Sequence, residues 1–390
     1  MTLTVVGSII TVLALGLGTV LVVGGAFVPA TYLQPWAPSY AQQFTDVRMK
    51  VVAQALLAPS GHNMQPWTVK LDADSHVLSL FADPTRLTPA VDPLARQTLV
   101  SEGTFLAYLR VAAEHLGYSA TFELFPDGSY DERKLATSMS TLPVARVTLA
   151  RDASVSTTDF ASLFRSDTNR GPYTDAALTP AQLTILDGVP DGSAPTLQIY
   201  SDAADKAAFA AFGVEGTLIE TKYAAATAES DRVFWSTEQA KNAHRSGFGV
   251  EGQGTSGFMK YLLQGLITIV PSVNDDAAGA KNAIALTAAA VAHTASYALI
   301  STPGNTRTEQ VQAGILYADF SLRARTLGLV MQPLSQVLQE YPTMSVPYDR
   351  IRAEYAPDGQ TIQMLVRIGT STSDYPVTMR RDATSLVHAP

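Results

Sequence analysis

The sequence predicts an α+β chain with two pseudo-symmetric lobes, preceded by a transmembrane helix. Three observations lead to this prediction. The chain has 390 residues, which is long for one compact domain. Two stretches, 103–117 and 314–328, share their glycine spacing and apolar pattern, which suggests two related halves. Residues 3–28 are almost wholly apolar, and the first side-chain charge is that of Asp46.

The apolar stretch at the start of the chain predicts an uncleaved membrane anchor over residues 1–30. Its length exceeds the ~20 residues that cross a bilayer core, and its glycines are tolerated in a membrane helix. A cleaved signal peptide is the alternative, which the missing basic n-region and the long apolar stretch disfavour. Because Arg48 and Lys50 follow the span, the positive-inside rule favours a cytoplasmic main domain.

After a polar linker, 31–45, we expect a first lobe over 46–160 and a second over 161–390. Apolar periodicity predicts helices and strands in order along these lobes. The helices are expected at 46–57, 101–117 and, as an Ala-rich helix or buried segment, 287–300. The strands are expected at 67–71, 76–81 and 361–368, with loops at 272–283 and 302–308.

Composition excludes several classes of function. The net charge of −8 argues against nucleic acid as a partner, because phosphate binding needs clustered Lys and Arg. The absence of cysteine excludes disulfides, thiolate zinc sites and Fe–S ligation. No two of the six histidines lie three or four positions apart, so the sequence predicts no metal site.

The first stretch with chemical content is residues 58–67, Ala-Pro-Ser-Gly-His-Asn-Met-Gln-Pro-Trp. Pro59 ends a helix, because the residue before a proline avoids the α region. Gly61 lets the backbone approach a ligand closely, while Ser60 and Asn63 offer donors and acceptors. An ordinary helix-to-strand turn, rich in turn-forming residues, is the other interpretation.

The second stretch is residues 165–173, Arg-Ser-Asp-Thr-Asn-Arg-Gly-Pro-Tyr. Arg165 and Arg170 supply fixed positive charge, which suits a phosphate or another electron-rich group. A solvated loop is the alternative for this stretch taken alone. The two stretches lie about a hundred residues apart.

Together the stretches resemble the flavin-binding motifs of the nitroreductase superfamily. Residues 59–67 match Pro-Ser-x-x-Asn-x-Gln-Pro-Trp at every fixed position, and the histidine before the asparagine resembles the Acg-type branch. The resemblance implies that Ser60, His62 and Asn63 contact FMN. The second stretch is similar to the basic motif of the family.

In the basic motif, Thr168 and Arg170 match the family, and Arg165 stands in for an arginine that Ser166 replaces. The resemblance implies that Arg170 faces the flavin edge on which negative charge collects during reduction. It also implies that the backbone of Gly328 lies near the flavin. The late pair Arg380-Arg381 resembles the arginines of the family that bind the FMN phosphate, with Met379 in place of a proline.

The family builds its site between two subunits, and here both contributions lie in one chain. The early turn and the late basic residues therefore suggest a nitroreductase-like fold, with a monomer that acts as a pseudo-dimer and holds one FMN. The implied function is hydride transfer from NAD(P)H to the flavin, and then to a nitroaromatic, quinone or similar acceptor. The chemistry belongs to the flavin, so no catalytic side chain is predicted.

Two other functions remain open at this stage. A non-catalytic protein could bind or sequester FMN behind a closed cover, and residues 246–257, which are rich in glycine, are expected to form such a cover or else a plain surface loop. A membrane-tethered scaffold with a decayed site is the third interpretation. Flavin colour in the purified protein would distinguish the two FMN-binding functions from the scaffold. Bleaching of that colour by NAD(P)H without oxygen would distinguish the oxidoreductase from the sequestering protein.

Overall fold

A computed structural model describes residues 14–155, 158–190, 192–274 and 276–388. The strands are β1 (Trp67–Leu71), β2 (Val77–Ala82), β3 (Tyr118–Leu124), β4 (Ala145–Arg151), β5 (Thr196–Tyr200), β6 (Ser296–Thr302), β7 (Val330–Pro333) and β8 (Thr361–Gly369). The first helices are α1 (14–23), α2 (Val47–Ala55), α3 (Arg96–His115), α4 (Leu135–Thr141), α5 (Pro180–Asp187) and α6 (Ala203–Glu220). The later helices are α7 (Ala224–Asp231), α8 (Glu238–His244), α9 (Gly257–Ile269), α10 (Asp276–Ala292), α11 (Arg307–Thr326) and α12 (Ser345–Tyr355).

Two four-stranded antiparallel sheets repeat the same arrangement. Their strand orders are β1-β2-β4-β3 and β5-β6-β8-β7. The first half of the chain runs α2, β1, β2, α3, β3, α4, β4, and the second runs α5, β5, β6, α11, β7, α12, β8. Helices α6 to α10 are an insertion between β5 and β6, where the first half has only a short turn. The α+β class is confirmed, while the boundaries at 46–160 and 161–390 stay a prediction.

The hairpin of β1 and β2 shows how the sequence sets the register of the first sheet. Trp67 pairs with Ala82 and Leu71 with Leu78. Alternation along β1 buries Trp67 and Val69 completely and leaves Lys70 exposed, as expected for a strand with one face on the core. The buried face packs beneath α3, where the Trp67 and Phe105 rings lie 5.1 Å apart.

The two halves meet where α3 crosses α11. Gly103 and Gly314, the first residues of the two similar stretches, lie against each other at the crossing. A Cβ on Gly103 would lie 2.0 Å from the carbonyl oxygen of Val311, and one on Gly314 would lie 1.9 Å from that of Val100. Only glycine allows the two backbones to approach this closely.

The segment that follows each sheet crosses to the other half. After β8 the chain returns to the first sheet, where Val387 forms a parallel bridge with Val69, and the N–H of His388 donates to the Val69 carbonyl at 2.8 Å. After β4 the chain reaches the second sheet, where the N–H of Asn169 donates to the Met331 carbonyl at 2.9 Å. These crossings bring the early turn and the late arginines together.

The predicted single-pass anchor is wrong. Among the residues that the structure describes, no helix combines the length and the apolar character needed to cross a membrane. Residues 1–13 of the proposed span lie outside the described chain, and α1 ends at residue 23. Gly24 of this stretch and Gly265 of α9 let α1 pack closely on α9: a Cβ on Gly24 would lie 2.0 Å from the Tyr261 carbonyl oxygen, and one on Gly265 would lie 1.9 Å from that of Val20. A Cβ on Gly16 or Gly18 meets nothing within 4 Å.

Some element boundaries also differ from expectation. Helix α3 begins at Arg96 rather than Ser101, because the Asp92 carboxylate accepts hydrogen bonds from the N–H groups of Gln97 and Thr98 and so caps the helix. The region 276–292, partly expected to be a loop, is helix α10. The Ala-rich stretch 287–300 contains the end of α10 and the start of β6.

Candidate functional site

The turn between α2 and β1 adopts an unusual backbone. His62, Asn63 and Gln65 have φ values of 49°, 51° and 52°, in the left-handed region. The turn is fixed by Ser60, whose Oγ accepts from the N–H of Gln65 at 2.9 Å, and by the N–H of Gly61, which donates to the Ser101 Oγ at 3.2 Å. Non-glycine residues held in this region cluster at functional sites, so the geometry motivates a binding hypothesis.

The side-chain amide of Asn63 joins this turn to two other parts of the chain. Its Nδ2 donates to the carbonyl oxygens of Gly247, at 2.9 Å, and Met379, at 3.0 Å. Its Oδ1 accepts from Arg380 at 2.9 Å. Asn63 is therefore the point at which the early turn, the 246–257 cover and the C-terminal segment meet.

Arg380 is fully buried and holds the two predicted motifs together. Its guanidinium donates to Asn63 and to the Leu57 carbonyl, both at 2.9 Å, and forms an ion pair of 2.7 Å with Asp167. The Trp36 ring lies 4.6 Å from the guanidinium carbon. Burial lowers the pKa of Arg380, and the Asp167 carboxylate opposes that effect.

Arg381 is likewise bound to protein acceptors. Its guanidinium donates to the carbonyl oxygens of Gln65, at 3.0 Å, and Trp67, at 2.9 Å, while its backbone N–H donates to the Gln65 Oε1 at 2.8 Å. Burial lowers the pKa of Arg381 to about 10, and the charge of Arg86 acts in the same direction. The terminal guanidinium nitrogens of both late arginines thus donate to internal acceptors, while the buried Nε of Arg380 has no hydrogen-bond partner among the described residues.

The basic stretch lies beside this cluster. Arg165 and Arg170 are exposed, and each donates one bond to a backbone carbonyl: Arg165 to Arg325 at 3.2 Å, and Arg170 to Gly252 at 3.3 Å. Thr168 is half-buried, and its carbonyl accepts from Ser166 at 3.2 Å. Arg170 also forms a hydrogen bond with the Tyr375 side chain.

Gly328 lies at the end of α11, with φ at +73°. Its N–H donates to the Arg325 carbonyl at 3.2 Å, the same residue whose carbonyl accepts from Arg165. The contacts of Gly328 are those of a helix C terminus. They connect it to the basic stretch rather than to the Asn63 turn.

Residues 246–257 lie directly on the predicted flavin contacts. The Gly247 carbonyl receives the Asn63 amide, and the Gly252 carbonyl receives the Arg170 guanidinium. The Phe248 and His62 rings lie 5.9 Å apart. A void of only about 10 Å³ remains between this segment and residues 377–379, roughly enough for one water molecule.

A buried charged cluster holds the cover in place. Lys241 has no exposed surface and bonds to both Glu238, at 3.0 Å, and Glu251, a residue of the cover. The Tyr32 hydroxyl lies 2.9 Å from a carboxylate oxygen of Glu238 and 3.1 Å from one of Glu251, and its single hydrogen is shared between these two acceptors. Lys260 approaches Glu238 to 3.1 Å. Releasing the cover therefore breaks a network of charges with little access to water.

Local sequence patterns miss several of these residues. Asp167 lies inside the quoted basic stretch, but its partner Arg380 is 213 positions away. Lys241 and Glu238 show only a spacing of three, which is common on solvated helix faces. Gln65 is the exception, because it belongs to the matched motif and could have been named.

His62 gives the site a dependence on pH. Burial lowers the pKa of His62 to about 4 from 6.5, and the charge of Arg170 adds to this effect. Between these values the unfolded chain binds a proton that the folded chain does not, so stability rises with pH. Its contribution is complete above pH 6.5 and falls as pH drops toward 4.

We therefore expect the His62→Gln variant to lose less thermal stability than the wild type between pH 6.5 and pH 4. The difference between the two melting curves isolates His62 from the carboxylates that also titrate in this range. Differential scanning calorimetry at several pH values measures it. If the melting temperatures of the two proteins fall equally as the pH drops, groups other than His62 cause the pH dependence.

Part of the chain is similar in sequence to known proteins that are named as nitroreductases. "Putative NAD(P)H nitroreductase acg" of Mycobacterium tuberculosis is 40% identical over 83 residues, which are 21% of this chain and 24% of that protein. "Probable NAD(P)H nitroreductase PigM" of a Serratia species is 36% identical over 75 residues, 19% of this chain and 21% of that protein. The chain thus spans about a quarter of the length of these relatives.

No family model matches the chain. A solved nitroreductase-like family protein from Bacillus cereus aligns with 61% of this chain and 98% of its own, at 13% identity and a TM-score of 0.31. The similarity to nitroreductases therefore rests on the sequence matches. A stretch of about a fifth of this chain is similar to nitroreductases.

Proposed function

We propose that the chain is an FMN-dependent oxidoreductase of the nitroreductase type. It would take hydride from NAD(P)H and pass the electrons to a nitroaromatic, quinone or similar acceptor. FMN would bind between the Asn63 turn and the Arg170 stretch of one chain acting as a pseudo-dimer. The complete Pro-Ser-x-x-Asn-x-Gln-Pro-Trp motif and the names of the sequence relatives support this proposal.

One observation carries the proposal furthest. The 246–257 cover occupies the predicted flavin contacts in the manner of a ligand: two carbonyl oxygens accept from Asn63 and Arg170, and one aromatic ring lies near His62. A flavin offers the same kinds of group, namely carbonyl acceptors and a flat ring. The donors of Asn63 and Arg170 are thus suited to the carbonyl oxygens of a flavin.

FMN does not fit while the cover is in place, because the remaining void is about 10 Å³. Movement of the cover would free the Asn63 amide, the Arg170 guanidinium and the face of His62. The two terminal nitrogens of the Arg380 guanidinium already donate to protein acceptors. We therefore propose Arg380 as a positioning residue that fixes Asn63, and Arg165 and Arg170 as the cations available to the phosphate or to the flavin.

Each side chain then has a limited task. FMN, when bound, supplies the hydride-accepting chemistry. Arg170 places a permanent charge at the site. His62 stays neutral because burial lowers its pKa, so it does not add a second cation beside Arg170. Ser60 keeps the turn in shape through its bond to the N–H of Gln65.

Titration with FMN tests the assignment. We expect saturable binding by the wild type and an affinity about tenfold lower for Arg170→Ala, because one charge-assisted contact is lost. Arg146→Ala is the matched control, since Arg146 is a partly exposed arginine of β4 with partners in its own sheet. Quenching of flavin fluorescence gives the affinities. Equal affinities for the two variants, or no binding by the wild type, would contradict the proposal.

The closed cover favours a second candidate, a protein that binds FMN and withholds it from substrates. Anaerobic mixing of the FMN-loaded protein with NADPH or NADH separates the two functions. Bleaching of the flavin absorbance is expected for the oxidoreductase. Bound FMN that stays oxidised under these conditions would support the sequestering function instead.

A further inference from the structure

A cavity of about 270 Å³ lies on the other flank of the α3–α11 pair. Arg110 and Glu114 of α3 line it, together with Asp319 and Arg323 of α11. Asp159, from the segment after β4, closes one side. Its volume is near the lower end of the range for small-ligand pockets, and it is far larger than the void beneath the cover.

The internal repeat relates this cavity to the Arg380 cluster. When Gly103 is aligned with Gly314, Tyr108 corresponds to Asp319, and Glu114 corresponds to Arg325. Tyr108 and Arg325 meet beside Arg380, where Arg325 donates to the Tyr108 hydroxyl at 2.5 Å. Their counterparts Asp319 and Glu114 meet in the cavity.

The segments around the cavity also correspond to those around the Arg380 cluster. Arg380 follows β8 and bonds to the carbonyls just beyond the end of α2. Asp159 follows β4 and lies in the cavity with Gly188 and Val189, just beyond the end of α5. The cavity is therefore the counterpart of the Arg380 cluster in the other half, with no arginine filling it from the chain that follows β4.

The Arg380 cluster and the cavity differ in the sign of their net charge. The first contains Arg325 and Arg380 with one carboxylate, that of Asp167. The cavity contains three carboxylates and two guanidiniums. Both guanidiniums are engaged, because Arg110 pairs with Asp319 and Arg323 pairs with Asp159 at 3.0 Å.

These ion pairs leave two carboxylate acceptors, those of Glu114 and Asp159, incompletely satisfied. Glu114 approaches Arg110 only to 3.8 Å. Burial raises the pKa of Glu114, Arg110 opposes that effect, and the carboxylates of Asp319 and Asp159 add to it. The buried Oδ1 of Asp159 has no hydrogen-bond partner among the described residues. A buried carboxylate oxygen without a partner is costly, and a cation donating hydrogen bonds would relieve that cost.

An anion is disfavoured, because the surplus groups are carboxylates. A metal ion is disfavoured too, since no group of three or more His, Cys, Asp or Glu residues within the described ranges could hold one. Val111 and Val189 add apolar walls to the cavity. Carboxylates beside apolar walls suit an ammonium group on a short methylene chain.

We propose that this cavity binds a small organic cation, a primary alkylammonium of the size of a short diamine, through Glu114 and Asp159. The site is independent of the flavin site, so its test needs neither FMN nor a nicotinamide. The ligand would occupy the place that the guanidinium of Arg380 fills in the other half.

Isothermal titration of the full chain with 1,4-diaminobutane tests the proposal. We expect one saturable site and an affinity about tenfold lower for Glu114→Gln, which removes one charged acceptor. Glu123→Gln, an exposed glutamate of β3 with a surface ion pair, is the matched control and is expected to bind as the wild type does. Asp159→Asn serves as a second cavity variant should Glu114→Gln fold poorly.

Length-matched probes complete the experiment. Succinate, a dianion, and 1,4-butanediol, which is uncharged, are expected to bind far more weakly than the diamine. The proposal is overturned if the diamine shows no saturable binding, if succinate binds equally well, or if the cavity variants bind the diamine as Glu123→Gln does.

Discussion

Arg380→Ala is expected to lower the free energy of unfolding by about 3–5 kcal/mol, the cost of removing one partner of a buried ion pair. Arg380 is fully buried, and its loss leaves the Asp167 carboxylate without its cation. The carbonyl oxygen of Leu57 and the Oδ1 of Asn63 lose a donor as well. Urea unfolding followed by circular dichroism measures the change.

A double variant and a surface control make this measurement specific. Arg380→Ala with Asp167→Asn is expected to recover part of the lost stability, because the second change removes the unpaired charge. Arg146→Ala, which breaks only partly exposed pairs, is expected to cost no more than about 1 kcal/mol. An Arg380→Ala protein as stable as Arg146→Ala would refute the bridging role of Arg380.

Gly103→Ala is the second substitution with a large expected effect, a loss of about 2–3 kcal/mol through overpacking. The added Cβ would lie 2.0 Å from the Val311 carbonyl oxygen and 2.8 Å from the Gly314 Cα. Both are backbone atoms of α11, so the helices must move apart. The same urea experiment, or calorimetry, measures the loss.

Gly279→Ala is the matched control for that substitution. Gly279 also lies within a helix, α10, but a Cβ there meets nothing within 4 Å. Alanine is favoured over glycine in a helix interior by about 1 kcal/mol, so this variant is expected to be more stable than the wild type. Equal effects at the two positions would show that the crossing tolerates a wider separation.

The sequence predicts the parts of the fold that depend on local pattern. The limits of β1 are as expected, and those of β2 and β8 differ by one residue. Alternating apolar residues mark β1 and β2 as half-buried strands, whereas the mostly apolar run of β8 marks a strand buried at every position. The repeated glycine stretches correctly point to α3 and α11. Helices α6 to α9 are not predicted, although the apolar residues of α9 recur at helical spacing.

Two features were inaccessible to sequence reasoning for physical reasons. The apolar N-terminal stretch resembles a membrane span because glycines serve close helix packing in both settings, and only the position of Gly265 against Val20 reveals the partner. The assignment of Arg380 and Arg381 to the FMN phosphate rests on their resemblance to the family and stays a prediction. Their burial could not be predicted from the sequence, because charged residues in a polar tail are usually exposed. Their buried partners lie in distant parts of the chain.

The crossing of the C-terminal segment has a consequence for solubility. Strand β1 is the outer strand of its sheet, and an uncovered outer strand offers free N–H and C=O groups to other molecules. Val387 and His388 occupy those groups at Val69. Detaching the last residues would therefore expose a template for intermolecular pairing, so the tail guards the protein against self-association.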